Sequence, residues 1–183
     1  MEKFFLHKDD TALLIVDIQE RLASVMNARA VVEDNCLHLI ELAKILDIPI
    51  IVTEQYPKGL GQTVERIRTA LPPYQPIEKL TFSCCDEPEF LKRVRDGQRR
   101  KLILTGMETH ICVLQTCLGL LRNDFHVHVV SDAVCSRRDE NRKVALEFLR
   151  DAGASVTCTE TVLFQLLKKA GTEAFKTISK RIK

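Results

Sequence analysis

Three side chains of different chemistry stand out by where they fall: a carboxylate at Asp17, an amine at Lys79 and a thiol at Cys112. Each follows a short apolar run. Asp17 ends Ala12-Leu-Leu-Ile-Val, Lys79 ends Pro76-Ile-Glu, and Cys112 comes shortly after Lys101-Leu-Ile-Leu-Thr-Gly106, in the first turn of an expected helix. A cysteine there meets unpaired backbone N–H groups and the positive end of the helix dipole, both of which favour a thiolate. The free thiol has a pKa of roughly 8.5, so little of it is ionised near neutrality. The helix N-terminus, the Lys79 ammonium and Asp17 as a base are three devices that improve it. Asp17 can take the thiol proton and later deliver it to a leaving amine, while Lys79 stabilises the thiolate and holds the aspartate ionised. Backbone N–H groups of Glu108 and Cys112 can face a developing oxyanion, at about 3 kcal/mol per good donor. Such a set supports attack on a carbonyl and a thioester that water then cleaves.

The elements that must position these groups alternate. Apolar runs at 12–16, 49–53, 101–105, 127–131 and 155–158, with a weaker one at 77–80, lack clean alternation, as strands covered on both faces do. Helical patterns lie between them: Val32, Cys36, Leu39, Ala43 and Leu46; then Val144, Ala145, Phe148, Leu149 and Ala152, stopped by Gly153; then Leu163, Leu166 and Leu167; and a last one over 172–178. Alternating strands and helices predict a three-layer α/β/α sandwich on a mainly parallel six-stranded sheet with right-handed crossovers. Ligands of such sheets bind beyond the carboxyl ends of the strands, where the strand order reverses. In the order 3-2-1-4-5-6 the first and fourth strands are neighbours at that reversal, and Asp17 and Cys112 face one crevice. The one long irregular region, 54–76, carries Tyr-Pro-Lys-Gly-Leu-Gly and Leu-Pro-Pro-Tyr-Gln-Pro around a short helical pattern.

Length and composition set the bounds. At 183 residues the chain fits a single domain with its core at about 10–170, and 45% hydrophobic with 28% charged residues is ordinary for a globular protein. A formal charge of +2 gives no reason to expect nucleic acid or an acidic membrane surface as partner. The Lys180-Arg181-Ile182-Lys183 end reads as a solvated tail. No stretch approaches the ~20 apolar residues of a membrane span, and the first residues lack the apolar core of a secretory signal, so the expectation is a cytoplasmic protein. Seven cysteines without a C-x-x-C pair argue against a disulfide framework and against a cysteine-rich zinc site. No G-x-G-x-x-G follows any strand, so a nucleotide-binding reading is weak. No cofactor is expected.

With these residues in view, the sequence resembles the isochorismatase-like cysteine hydrolase superfamily. The matching pieces run in order: Leu-Leu-Ile-Val-Asp17-Ile-Gln19, Glu78-Lys79 with Thr-Phe-Ser, Leu-Thr-Gly106-Met-Glu-Thr-His-Ile-Cys112-Val, and Val-Val-Ser-Asp132-Ala133. The resemblance implies a Rossmann-like isochorismatase fold, an Asp17–Lys79–Cys112 triad and a non-proline cis peptide at Met107–Glu108. It also implies self-association as a dimer, tetramer or larger ring. The segment Val52-Thr-Glu54-Gln55-Tyr56-Pro57-Lys58-Gly59-Leu60-Gly61 is similar to the subgroup of isochorismatase-domain-containing proteins. Nicotinamidases place an Asp and His cluster there for a metal, whereas this segment has Glu54 and no histidine, so no metal site is expected. Isochorismatases proper, which cleave a vinyl ether, do without the cysteine, so Cys112 speaks against that reaction.

The remaining polar residues have more than one reading. Gln19 is placed to orient the site by hydrogen bonding. Glu54, Gln55 and Tyr56 suit substrate contacts, a loop scaffold or a subunit interface equally well. His110 lies two positions before Cys112 and should point elsewhere, as a structural or pocket-wall residue rather than a base. Cys84 and Cys85 read as loop thiols, one of which could line the pocket; Cys117 reads as core, and Cys36, Cys135 and Cys158 as packing. The functional expectation is a cysteine hydrolase acting on a small amide or related acyl compound through a Cys112 thioester. The alternative is a non-hydrolytic thiol redox sensor or binding module on the same fold.

Overall fold

A computed structural model describes residues 1–71 and 73–182; residue 72 of the long irregular region and residue 183 of the basic tail lie outside it. The strands are β1 (Thr11–Val16), β2 (Ile50–Gln55), β3 (Ile77–Lys79), β4 (Lys101–Met107), β5 (His126–Cys135) and β6 (Ser155–Thr157). They form one sheet in the order β3-β2-β1-β4-β5-β6, with every neighbouring pair parallel. The reversal therefore falls between β1 and β4, where Val16 is the register partner of Gly106.

Side chains of successive strand residues enter opposite layers, as the pleat requires. Leu13, Ile15 and Ile103 pack with helices α1 (Glu20–Ala23), α2 (Arg29–Ile45), α4 (Glu65–Ala70), α8 (Thr159–Leu167) and α9 (Glu173–Arg181). Ala12, Leu14, Val16, Leu102 and Leu104 pack with α5 (Pro88–Asp96), α6 (Leu114–Arg122) and α7 (Asp139–Asp151). Covering both faces is why β1 is buried along its whole length and reads as an unbroken apolar run.

Three departures from the sequence pattern have local causes. Helix α5 carries only two buried residues, Phe90 and Val94, on an otherwise charged surface, so its period is easy to miss; Pro88 in its first turn and Gly97 at its end are the readable signals. On α7, Ala145, Leu146 and Leu149 are buried while Val144 and Phe148 face solvent, so the apolar stripe is narrower than the periodicity suggests. Strand β5 runs on to Cys135 because its register with β4 shifts between Leu104 and Gly106. That irregularity admits a second short pairing, in which Met107 lies beside Cys135.

The irregular region 54–76 holds two short helices, α3 (Pro57–Leu60) and α4, and closes onto the body through an isolated antiparallel bridge between Gln19 and Thr63. No helix among the described residues is long and apolar enough to cross a membrane.

Candidate active site

Strands β1, β2 and β3 and the segment after β4 deliver the chemistry to one buried cluster at the carboxyl edge of the sheet. Asp17 follows β1 directly and is fully buried. Its φ of +53° lies in the left-handed region, which aspartate tolerates better than the branched residues before it, and turns the chain sharply as it leaves the strand. Lys79 ends β3, and its Nζ donates to Asp17 Oδ2 at 2.6 Å and to Gln55 Oε1 at 2.8 Å. The carbonyls of Thr81 and Phe82 also accept from it, at 3.2 and 3.3 Å. The backbone thus wraps the ammonium, and the side chains of Leu80 and Phe82 are left outside, 73% and 54% exposed. Thr53 Oγ1 donates to the other aspartate oxygen at 2.7 Å.

Glycine at 106 is what lets β4 and β1 meet here. Its φ is +132°, and a Cβ at that position would lie 2.1 Å from the Val16 carbonyl oxygen. Beyond it the Met107–Glu108 peptide bond is cis. Cys112 then sits within a single π turn, Thr109–Val113, closed by Val113 N–H donating to the Glu108 carbonyl at 3.2 Å; helix α6 begins only at Leu114. The N–H of Glu108 has no hydrogen-bond partner among the described residues.

The Cys112 thiol is buried beside both Asp17 and Lys79. Burial pushes its pKa up, the Asp17 charge pushes it further, and Lys79 opposes them without prevailing. Burial and Asp17 together thus favour the neutral thiol over the thiolate that the position of Cys112 in the sequence favours. Lys79 is the converse case. Burial works against its charge, but the Asp17 carboxylate at 2.6 Å more than offsets that, and its pKa lies above the ordinary lysine value.

The structure distributes the other predicted residues unevenly. Gln55 orients Lys79 through its side-chain oxygen and donates through its nitrogen to the Leu80 carbonyl at 2.9 Å. Gln19 is spent on the loop: its amide donates to the carbonyls of Gln55 and Gly61, and its oxygen accepts from the Gln55 N–H. Glu54 is committed to Thr63 and Tyr74, on the side of β2 away from Lys79. Tyr56 is bound by its main-chain N–H to the Lys79 carbonyl, with its ring half in solvent. His110 faces α7, with Nδ1 at 2.9 Å from Ser136 Oγ and Nε2 accepting from Asn141.

Sequence reasoning missed Thr53, which had only its place on β2 to mark it. It also left Cys84 among the loop thiols. Cys84 is fully buried on a 3₁₀ turn, its thiol 3.7 Å from Thr53 Oγ1 and its N–H donating to Thr116 Oγ1 at 3.0 Å. Burial pushes its pKa up to about 11. Cys158, read as packing, is half-buried at the start of α8. No group of three or more His, Cys, Asp or Glu side chains is arranged to hold a metal among the described residues.

Residues 11–161 match the isochorismatase domain family. A secreted isochorismatase effector of Phytophthora sojae is 40% identical over 178 residues, covering 94% of this chain and 84% of the relative. Among solved structures, a MAR1 ribonuclease from Caenorhabditis elegans superposes with a TM-score of 0.91 at 38% identity, covering 97% of this chain and 92% of its own. An octameric hydrolase of unknown specificity from Escherichia coli gives a TM-score of 0.91 at 27% identity, with 97% and 90% covered.

Proposed function

Because the chain belongs to the isochorismatase family, we propose that it is a cysteine hydrolase, opening a small amide or related acyl compound through a thioester on Cys112. The observation that carries this reading is the buried Asp17–Lys79 contact of 2.6 Å set beside the Cys112 thiol. Cys112 Sγ attacks the carbonyl carbon as Asp17 takes the thiol proton, so that charge moves onto the carbonyl oxygen. The N–H groups of Glu108 and Cys112 stabilise that oxygen. Asp17 then gives its proton to the departing nitrogen, and the C–N bond breaks to leave the thioester. Water adds with Asp17 as base, the C–S bond breaks, the acid leaves and the thiol regains its proton. Lys79 keeps a positive charge against Asp17 throughout.

A thiol raised in pKa and nearly closed to solvent supports proton transfer during attack rather than a redox sensor, which needs an accessible thiolate. The net charge of +2 supports a small-molecule substrate over RNA, the ribonuclease name of the nematode relative notwithstanding. Self-association belongs to the same proposal, supported by the octameric relative.

The test is a panel of small amides and esters read by intact-protein and peptide mass spectrometry. The expected result is an acyl adduct on Cys112 in the native protein and loss of turnover in Cys112→Ala. Turnover by Cys112→Ala at the native rate would remove the mechanism.

A further inference from the structure

We infer that Arg137 reads the substrate of this site and that the substrate carries a free carboxylate; the inference rests on the Cys112 hydrolase reading. Met107 and Cys135 are register partners, so the chain leaving β5 runs alongside the turn that leads to Cys112. Two contacts tie these segments together: Ser136 with His110, and Arg137 with Glu108.

The second contact does more than hold a loop. The Arg137 main-chain N–H already makes the tie, donating to Glu108 Oε2 at 2.9 Å. The guanidinium adds Nε at 3.1 and 3.2 Å from the two carboxylate oxygens and Nη2 at 3.1 Å from Oε1. The Glu108 side chain is 4% exposed and that of Arg137 is 59% exposed. Glu108 thus spends its carboxylate inward and fixes the plane of a guanidinium that stands out toward solvent. Nη1 has no acceptor among the described residues.

A guanidinium fixed in orientation is suited to a second carboxylate, because its fork of N–H donors matches that planar anion and its ordering cost is already met. Charge points the same way. Asp17 and Lys79 offset one another inside the site. On the β5 side Arg137, Arg138, Arg142 and Lys143 stand against Glu108, Asp139 and Glu140, an excess of one positive charge. This small excess favours an anion at the Cys112 turn over a cation.

Two alkylating agents of similar size, iodoacetate and iodoacetamide, separate this proposal from the hydrolase reading. Their second-order rates at Cys112 would be followed by peptide mass spectrometry at one fixed pH of about 9, so that both reagents meet the same thiolate fraction. The quantity read is the iodoacetate-to-iodoacetamide ratio. Arg137→Gln should lower it about tenfold, the size of one charge-assisted hydrogen bond, and leave the iodoacetamide rate within about twofold. Arg138→Gln should leave the ratio near the native value. Should the glutamine variant not fold, Arg137→Lys reads the same quantity: a point charge without the fork should give a lowered ratio. An unchanged ratio in both Arg137 variants, or an equal fall in Arg138→Gln, overturns the proposal while leaving the hydrolase intact. A Cys112 that reacts with neither reagent in the native protein and in Asp17→Asn alike overturns the hydrolase reading and this one with it.

Discussion

At the scale of single residues, Asp17 holds Cys112 in two opposed ways. Its charge raises the thiol pKa, and in the proposed reaction its oxygen receives the thiol proton. Asp17→Asn should therefore separate reactivity from catalysis. With the negative charge gone, Lys79 acts on the thiol unopposed and the pKa falls, so iodoacetamide alkylation of Cys112 should quicken near neutrality. Amide turnover should fall by about a hundredfold or more, since the acid–base group is lost. Alkylation that slows in this variant would mean Asp17 does not raise the thiol. Thr53 shows what a residue list leaves out: it makes one short hydrogen bond to the buried pair, and its side-chain type does not announce chemistry in a strand sequence. Gln55, singled out for substrate contact, holds Lys79 instead.

Among the elements, the β1–β4 seam decides whether the site exists. Gly106→Ala should cost more than about 3 kcal/mol in urea unfolding, or prevent folding, because its Cβ would overlap the Val16 backbone. Gly153→Ala is the internal comparison. Its φ is also positive, at +103°, but a Cβ there meets nothing, so only the backbone strain of about 1–2 kcal/mol applies. Equal losses at the two positions would remove close packing as the cause. The seam also shows what could be read in advance. The two-sided burial of β1 and β4 leaves long apolar runs, and the order of the strands follows from alternation and crossover handedness. The tilt of a carboxylate at φ +53°, the π turn under Cys112 and the inward commitment of Gln19 and Glu54 depend on long-range partners, and no local pattern encodes them. Helix α5 escaped for the opposite reason, being almost wholly polar around two buried side chains.

For the molecule as a whole, the amino edge of the sheet is sealed by the N-terminal segment. Buried Lys101 pairs with Asp10 at 3.0 Å and Glu2 at 3.3 Å, and His128 donates through Nε2 to the Lys3 carbonyl at 2.9 Å. Burial lowers the His128 pKa below its ordinary value of 6.5. A depressed histidine contributes stability that is fully present above the unfolded value. As the pH falls through 6.5 the unfolded chain takes up the proton first, so stability drains away until the folded histidine protonates too. Unfolding free energy should decline on acidification from about pH 7 to pH 5, by at most about 1.4 kcal/mol per pH unit from this one proton. His128→Gln should flatten that decline; an unaltered slope would place the linkage elsewhere. The seven cysteines, all unpaired, have a consequence of another kind. Cys36 and Cys135 lie in the layer built on α2, whereas Cys84, Cys112 and Cys117 lie in the layer under α6. Each side of the sheet thus carries its own built-in chemical tags, and a thiol label that enters as the protein breathes records which of the two layers opened first.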